Sequence, residues 1–211
     1  KEDRIVIGAH GDSISWSYLS PMAIRNRAPG VDDNASGTSV VTEVFRALVE
    51  KNYKPENTLV FIIYAAEEVG LRGSQDIVKD FVRRKVPVKG VLQLDMTAFT
   101  SSRQRPKISL IDDFTHPEQN AFLGRLLDEY VKIEWVYNSC GYPCSDHASW
   151  NEAKIAASMP FSTPFSEYNR HIHTSGDTLD KVFNSASHAF KFAKLALSYI
   201  IELDHAQKQK K

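Results

Sequence analysis

The ten residues NTLVFIIYAA, Asn57 to Ala66, constrain the fold of this chain more than any other stretch. The run is apolar without alternation and has the length of a strand. A strand of that kind is buried on both faces of a parallel or mixed sheet, so helices must cover the sheet on both sides. The run ends in Glu67 and Glu68, with Gly70 and Gly73 beyond. A carboxylate at the end of a buried strand costs free energy unless something pairs with it. Two in succession demand a positive charge facing them.

The rest of the chain alternates between strand and helix patterns. RIVIGAH (Arg4 to His10), VKGVLQLDM (Val88 to Met96), KISLIDD (Lys107 to Asp113), IEWVYNS and IAASMPFS read as strands. Val41, Val44, Phe45 and Leu48 recur at helical spacing. Further helices are expected near Ser74 to Lys85, from Pro117 onward, in SDHASWNEA, and from about Asn184 to Leu203. Strands alternating with helices predict a three-layer α/β/α domain with a mostly parallel, mixed sheet. With 211 residues and no linker or repeat, residues 1–211 are expected to form a single domain. Because the chain enters a strand almost at once, sequence upstream of it is expected.

Composition narrows the partners. Lys plus Arg and Asp plus Glu stand at 26 each, and neither nucleic acid nor an anionic membrane is an expected partner. No apolar stretch is long enough to span a bilayer. The basic tail Gln207 to Lys211 reads as a solvated helix end, and the loop from Ser13 to Gly30 is assigned no role.

In open α/β sheets, ligands bind outside the carboxyl ends of the strands. Those ends carry His10 and Asp12, Glu67 and Glu68, and Asp95; Asp32 and Asp33 precede the first helix, and His171, His173 and Asp177 follow the last strand. Asp32, Glu67, Glu68 and Asp95 would repel one another in one cleft and force protons onto some of the group. A divalent cation removes that conflict. Nitrogen and oxygen donors without thiolate favour zinc, with cobalt and manganese as substitutes. His171 and His173 share a side of an extended segment, so spacing does not choose between them. His116, His147, His188 and His205 lack such a setting and are read as surface or packing residues. The only cysteines, Cys140 and Cys144 in CGYPC, are spaced so that a turn can join them or leave two half-buried thiols.

The segments GAHGDS, APGVDDNASG, YAAEEVGLRGSQD, LQLDMT, CGYPCSDHASW and IHTSGDTLD occur in that order along nearly the whole chain. Together they resemble the secreted bacterial and fungal leucyl aminopeptidases of the double-zinc exopeptidase superfamily, with their phosphorylase/hydrolase-like fold. The resemblance implies two zinc ions: His10 and Asp95 on one, Glu68 and His173 on the other, and Asp32 bridging. It implies a cis Asp32–Asp33 peptide, with Asp33 behind the ligands and Asp12 orienting His10 through its other ring nitrogen. Glu67 would be the general base, and Tyr142 would help to stabilise the oxyanion. Met96, Ile111, Cys140, Tyr142, Cys144, Met159, Phe161, Phe165 and Ile172 would line an apolar pocket. A Cys140–Cys144 disulfide, secretion, and peptides or proteins with a free N-terminus as partners follow from the same likeness. Relatives carry a helix and strands before the first strand here, so a monomer completed by a separate N-terminal segment is expected. A rival expectation is a non-catalytic, metal-free domain of this fold that acts as a binding module.

Overall fold

The computed structural model describes residues 3–16, 26–101 and 105–205. The basic tail and the middle of the loop after His10 lie outside the described residues. Seven strands occur among them: β1 (Arg4–His10), β2 (Thr58–Tyr64), β3 (Val88–Gln93), β4 (Lys107–Ile111), β5 (Glu134–Asn138), β6 (Ala157–Ser158) and β7 (Pro160–Phe161). Interleaved are α1 (Gly37–Glu50), α2 (Arg72–Arg83), α3 (Pro117–Leu126), α4 (His147–Glu152) and α5 (Ala189–His205).

Four strands pair in parallel in the order β2-β1-β3-β6, and three more in the order β5-β4-β7. Within the second set β4 runs parallel to β5 and antiparallel to β7. Met159 alone separates β6 from β7, and its carbonyl accepts the Ile111 N–H at 3.0 Å. That short segment leads from one set to the other, and the sheet is mostly parallel and mixed, as expected.

The period of two along β1 builds the layers. Ile5, Ile7 and Ala9 enter one core with Val40, Val41 and Val44 of α1 and Phe192, Leu195 and Tyr199 of α5. Val6 points the other way, to Tyr64, Val91, Val78 of α2 and Trp150 of α4. The Trp150 indole donates to the Tyr64 hydroxyl at 2.9 Å, which satisfies the polar atoms of two fully buried rings. A Cβ on Gly8 would stand 2.4 Å from the Tyr64 ring, so this position on β1 takes only glycine without displacing it.

Two expectations need correction. Among the described residues β2 pairs with β1 alone and stands at a sheet edge, and its faces are covered less fully than its apolar run implies. Most of it is half-buried, and Ile63 is 47% exposed. The final helix begins at Ala189 rather than near Asn184. Ser185 Oγ accepts the Ser187 N–H at 3.2 Å, a local turn that competes with helix before that point. Elsewhere Pro117 occupies the first turn of α3, and His116 caps it by accepting the Gln119 N–H. No helix among the described residues is long and apolar enough to cross a membrane.

Candidate metal centre

Parallel pairing of β1, β2 and β3 brings their carboxyl ends to one edge, which carries His10, Glu67, Glu68 and Asp95. Two further loops supply the remaining groups. One is the distorted turn Val31–Ser36 before α1, which contains a cis peptide between Asp33 and Asn34. The other is the turn that carries His173 and Asp177.

His10 Nε2 lies 3.0 Å from Asp33 Oδ1 and 3.4 Å from Asp95 Oδ1. His173 Nε2 lies 3.0 Å from both Asp33 Oδ2 and Glu68 Oε2. The structure therefore forms two clusters, His10–Asp33–Asp95 and Asp33–Glu68–His173, which share Asp33. Asp33, not Asp32, occupies the shared position, and the cis peptide follows Asp33 rather than preceding it. Asp32 is 0% exposed, and its Oδ1 accepts from the amides of Ala98 and Phe99 at 3.1 and 2.9 Å. Successive side chains in this turn diverge, so the two aspartates face opposite ways. His173, rather than His171, joins the cluster.

Asp12 also differs from expectation. His10 Nδ1 donates to the Asp12 backbone carbonyl at 3.0 Å, while the nearer carboxylate oxygen is 3.7 Å away. The Asp12 carboxylate instead accepts the amides of Glu67 and Glu68 at 3.1 and 3.2 Å, which fixes the turn that presents that pair. Asp177 has a like role that the sequence did not reveal. It accepts from Asp32 N at 3.1 Å, Asp33 N at 3.0 Å and Asn169 Nδ2 at 3.1 Å.

The electrostatics follow from this crowding. Burial, and next the Asp95 charge, push Glu67 up to about 9. Burial opposes ionisation of Asp33, but hydrogen bonds from His10 and His173 outweigh it and hold the carboxyl down to about 2. Hydrogen bonds to Asp33 and Glu68 raise His173 to about 10. Asp95 Oδ2 accepts from Ser145 Oγ at 2.6 Å, which leaves Oδ1 buried without a hydrogen-bond donor, as is Glu68 Oε1. Orphaned buried oxygens beside imidazole nitrogens are what a cation would satisfy. Two ligands about 2.0 Å from one ion at a tetrahedral angle stand about 3.3 Å apart, close to the separations seen here. The residues fit divalent metal of borderline hardness.

Beside the clusters opens a cavity of about 500 Å³. Met96, Tyr142, Cys144, Met159, Phe161, Phe165 and Ile172 line it, as anticipated. Ile111 and Cys140 do not; Ile111 is buried behind the wall, and Cys140 packs against the same apolar cluster. Gly70, Leu71, Pro143, Tyr168 and Arg170 also line the cavity, outside the expected apolar set. Cys140 and Cys144 are disulfide-bonded, and the Asp113 carboxylate accepts the amides of Cys140 and Gly141 at 3.0 and 2.6 Å. Tyr142, on this loop, is 56% exposed at the rim.

Residues 1–198 match the profile of Peptidase family M28. A probable aminopeptidase of Saccharomyces cerevisiae is 37% identical over 206 residues, covering 96% of this chain and 54% of that protein. Leucine aminopeptidase 1 of Sclerotinia sclerotiorum is 37% identical over 215 residues, covering 98% and 54%. Among solved structures, the LapA aminopeptidase of Legionella pneumophila superposes with a TM-score of 0.88 at 39% identity, over 96% of this chain and 51% of its own. A glutaminyl cyclase of an Acidobacteriales bacterium shares the fold, with a TM-score of 0.78 at 17% identity, over 98% and 71%. The chain spans about half the length of the curated relatives it matches.

Proposed function

Since this chain belongs to Peptidase family M28, we propose that it is an aminopeptidase with two zinc ions, releasing Leu and other large apolar residues from a free N-terminus. One observation carries the reading. The two oxygens of the buried Asp33 carboxylate face two histidines, and each histidine has a further carboxylate beside it. His10, Asp33 and Asp95 would hold one ion, and Asp33, Glu68 and His173 the other. Bound there, zinc supplies a Lewis acid that acidifies water and polarises a carbonyl.

The chain's own groups do the rest. Glu67 lines the cavity without entering either cluster. Beside bound cations Glu67 would return from its raised state to the ionised form. That carboxylate takes a proton from the attacking water and passes it to the leaving amine as the C–N bond breaks. The Tyr142 hydroxyl donates to the carbonyl oxygen as negative charge builds on it. Met96, Met159, Phe161, Phe165 and Ile172 receive the first side chain, and their apolar surface favours Leu over a charged residue. The disulfide supports secretion as the setting for this activity.

Hydrolysis of Leu-Gly and N-acetyl-Leu-Gly by the zinc-loaded protein tests the reading. Only the free-amine peptide should be cleaved. Cleavage of neither, with zinc bound, would point to a binding module instead. Glu67→Gln should lower kcat by roughly 10²–10⁴-fold with zinc content unchanged by atomic absorption, and undiminished turnover would remove Glu67 from its role.

A further inference from the structure

We propose that Arg170 receives the C-terminal carboxylate of the bound substrate, so that the site favours di- and tripeptides over longer or C-terminally blocked chains. The proposal rests on the aminopeptidase reading and adds to it a preference at the far end of the substrate.

Arg170 ends a ladder of rings that climbs from the pocket floor to its mouth. Phe161, buried, stands 5.5 Å from Phe165, which stands 5.6 Å from Tyr168. The Arg170 guanidinium lies over the Tyr168 ring at 4.1 Å and donates through Nη2 to the Ser166 carbonyl at 2.9 Å. Stacking and that hydrogen bond fix the plane of the fork, and its other N–H donors meet no acceptor among the described residues.

Charge supports the same assignment. Asp33, Glu67, Glu68 and Asp95 line the same cavity, and Arg170 is the one guanidinium among the described lining residues. It forms no ion pair with any described carboxylate; Asp33, Glu68 and Asp95 belong to the clusters, and Glu67 stands apart from this cation as well. Two divalent ions would offset those four negative charges, which leaves the guanidinium in excess at the mouth. An incoming anion meets that excess. A carboxylate fits the fork with two parallel hydrogen bonds, whereas a C-terminal amide does not.

Reach agrees as well. Arg170 precedes His173 by three positions, so their Cα atoms are at most about 11 Å apart. The one or two substrate residues beyond the scissile bond extend about 3.5 Å each, a span that fits within that bound.

The test compares Leu-Gly with Leu-Gly-amide for the zinc-loaded wild type and for Arg170→Ala, Arg170→Lys and Arg170→Glu. The wild type should favour the acid in kcat/KM. Arg170→Ala should lower that value about tenfold for the acid, chiefly through KM, and less than twofold for the amide. Arg170→Lys should fall between, and Arg170→Glu should reverse the preference. Calorimetric Kd values for both peptides on zinc-loaded Glu67→Gln, with and without Arg170→Ala, give the same comparison without turnover. If neither peptide is cleaved, the aminopeptidase reading fails, and the Kd ratio still decides the role of Arg170. Equal losses for acid and amide, or a wild type indifferent to the two, would overturn the proposal.

Discussion

Asp33 turns both carboxylate oxygens toward imidazoles, while Asp32 turns its own toward the amides of Ala98 and Phe99. Removing each should therefore fail differently. Asp33→Ala should leave fewer than one zinc per chain after dialysis, measured by atomic absorption. Asp32→Ala should retain both ions but lose about 2–4 kcal/mol of stability in urea, because two buried amides lose their acceptor. The reverse pattern would return the bridging role to Asp32. The sequence showed that acids and imidazoles meet at the strand ends, since residue type and strand position decide that much. It could not separate two adjacent, chemically identical side chains, whose directions depend on backbone torsions in an irregular turn.

At the scale of elements, the site joins loops that are remote in sequence. The Asp177 carboxylate holds the amides of Asp32 and Asp33 across separations of 145 and 144 positions, and its carbonyl takes the Val31 N–H at 3.2 Å. His173 rides on the same turn, so this clamp fixes one ligand-bearing loop against another. Groups that hydrogen-bond metal ligands and orient them typically change metal affinity by about 10–100-fold when removed, and a clamp on the ligand-bearing loops acts to the same end. Asp177→Ala should weaken the ion on the His173 side by at least about tenfold and the ion on the His10 side less, since the two share Asp33 but only one depends on the His173 turn. Cobalt titration followed by visible absorption would resolve the two steps, and equal weakening of both would deny Asp177 this local role. No periodicity reports such a clamp, because neither partner lies in a regular element.

For the whole molecule, pH acts through two buried imidazoles outside the clusters. Burial pushes His147 and His188 down to about 4, and His188 Nε2 donates to the Ser162 carbonyl at 2.6 Å. Both rings stay neutral in the folded chain while the unfolded chain takes up protons near pH 6.5. Stability is therefore unaffected by them above that pH and falls as pH drops from about 6.5 to about 4, by up to about 3 kcal/mol each. Urea midpoints in chelator at pH 7.5 and 4.5, for wild type and His188→Phe, should converge or cross as pH falls. A constant difference would mean that His188 is not held neutral. The layered fold was legible because β1 feeds two cores through alternate side chains and the apolar runs are long. The edge position of β2 was not, because an apolar run reports burial without naming its neighbours.

That central place of β1 also bears on motion. Its amides are paired on both sides, with β2 and with β3, and both cores pack on it, so they should exchange with solvent only when the whole domain opens. His10 is anchored to this slowest-exchanging element, whereas His173 sits on a partly exposed turn held by hydrogen bonds to other loops and, among the described residues, by no sheet. The two halves of the centre thus belong to regions of unequal persistence. Ion exchange should begin on the His173 side while the His10 side still holds.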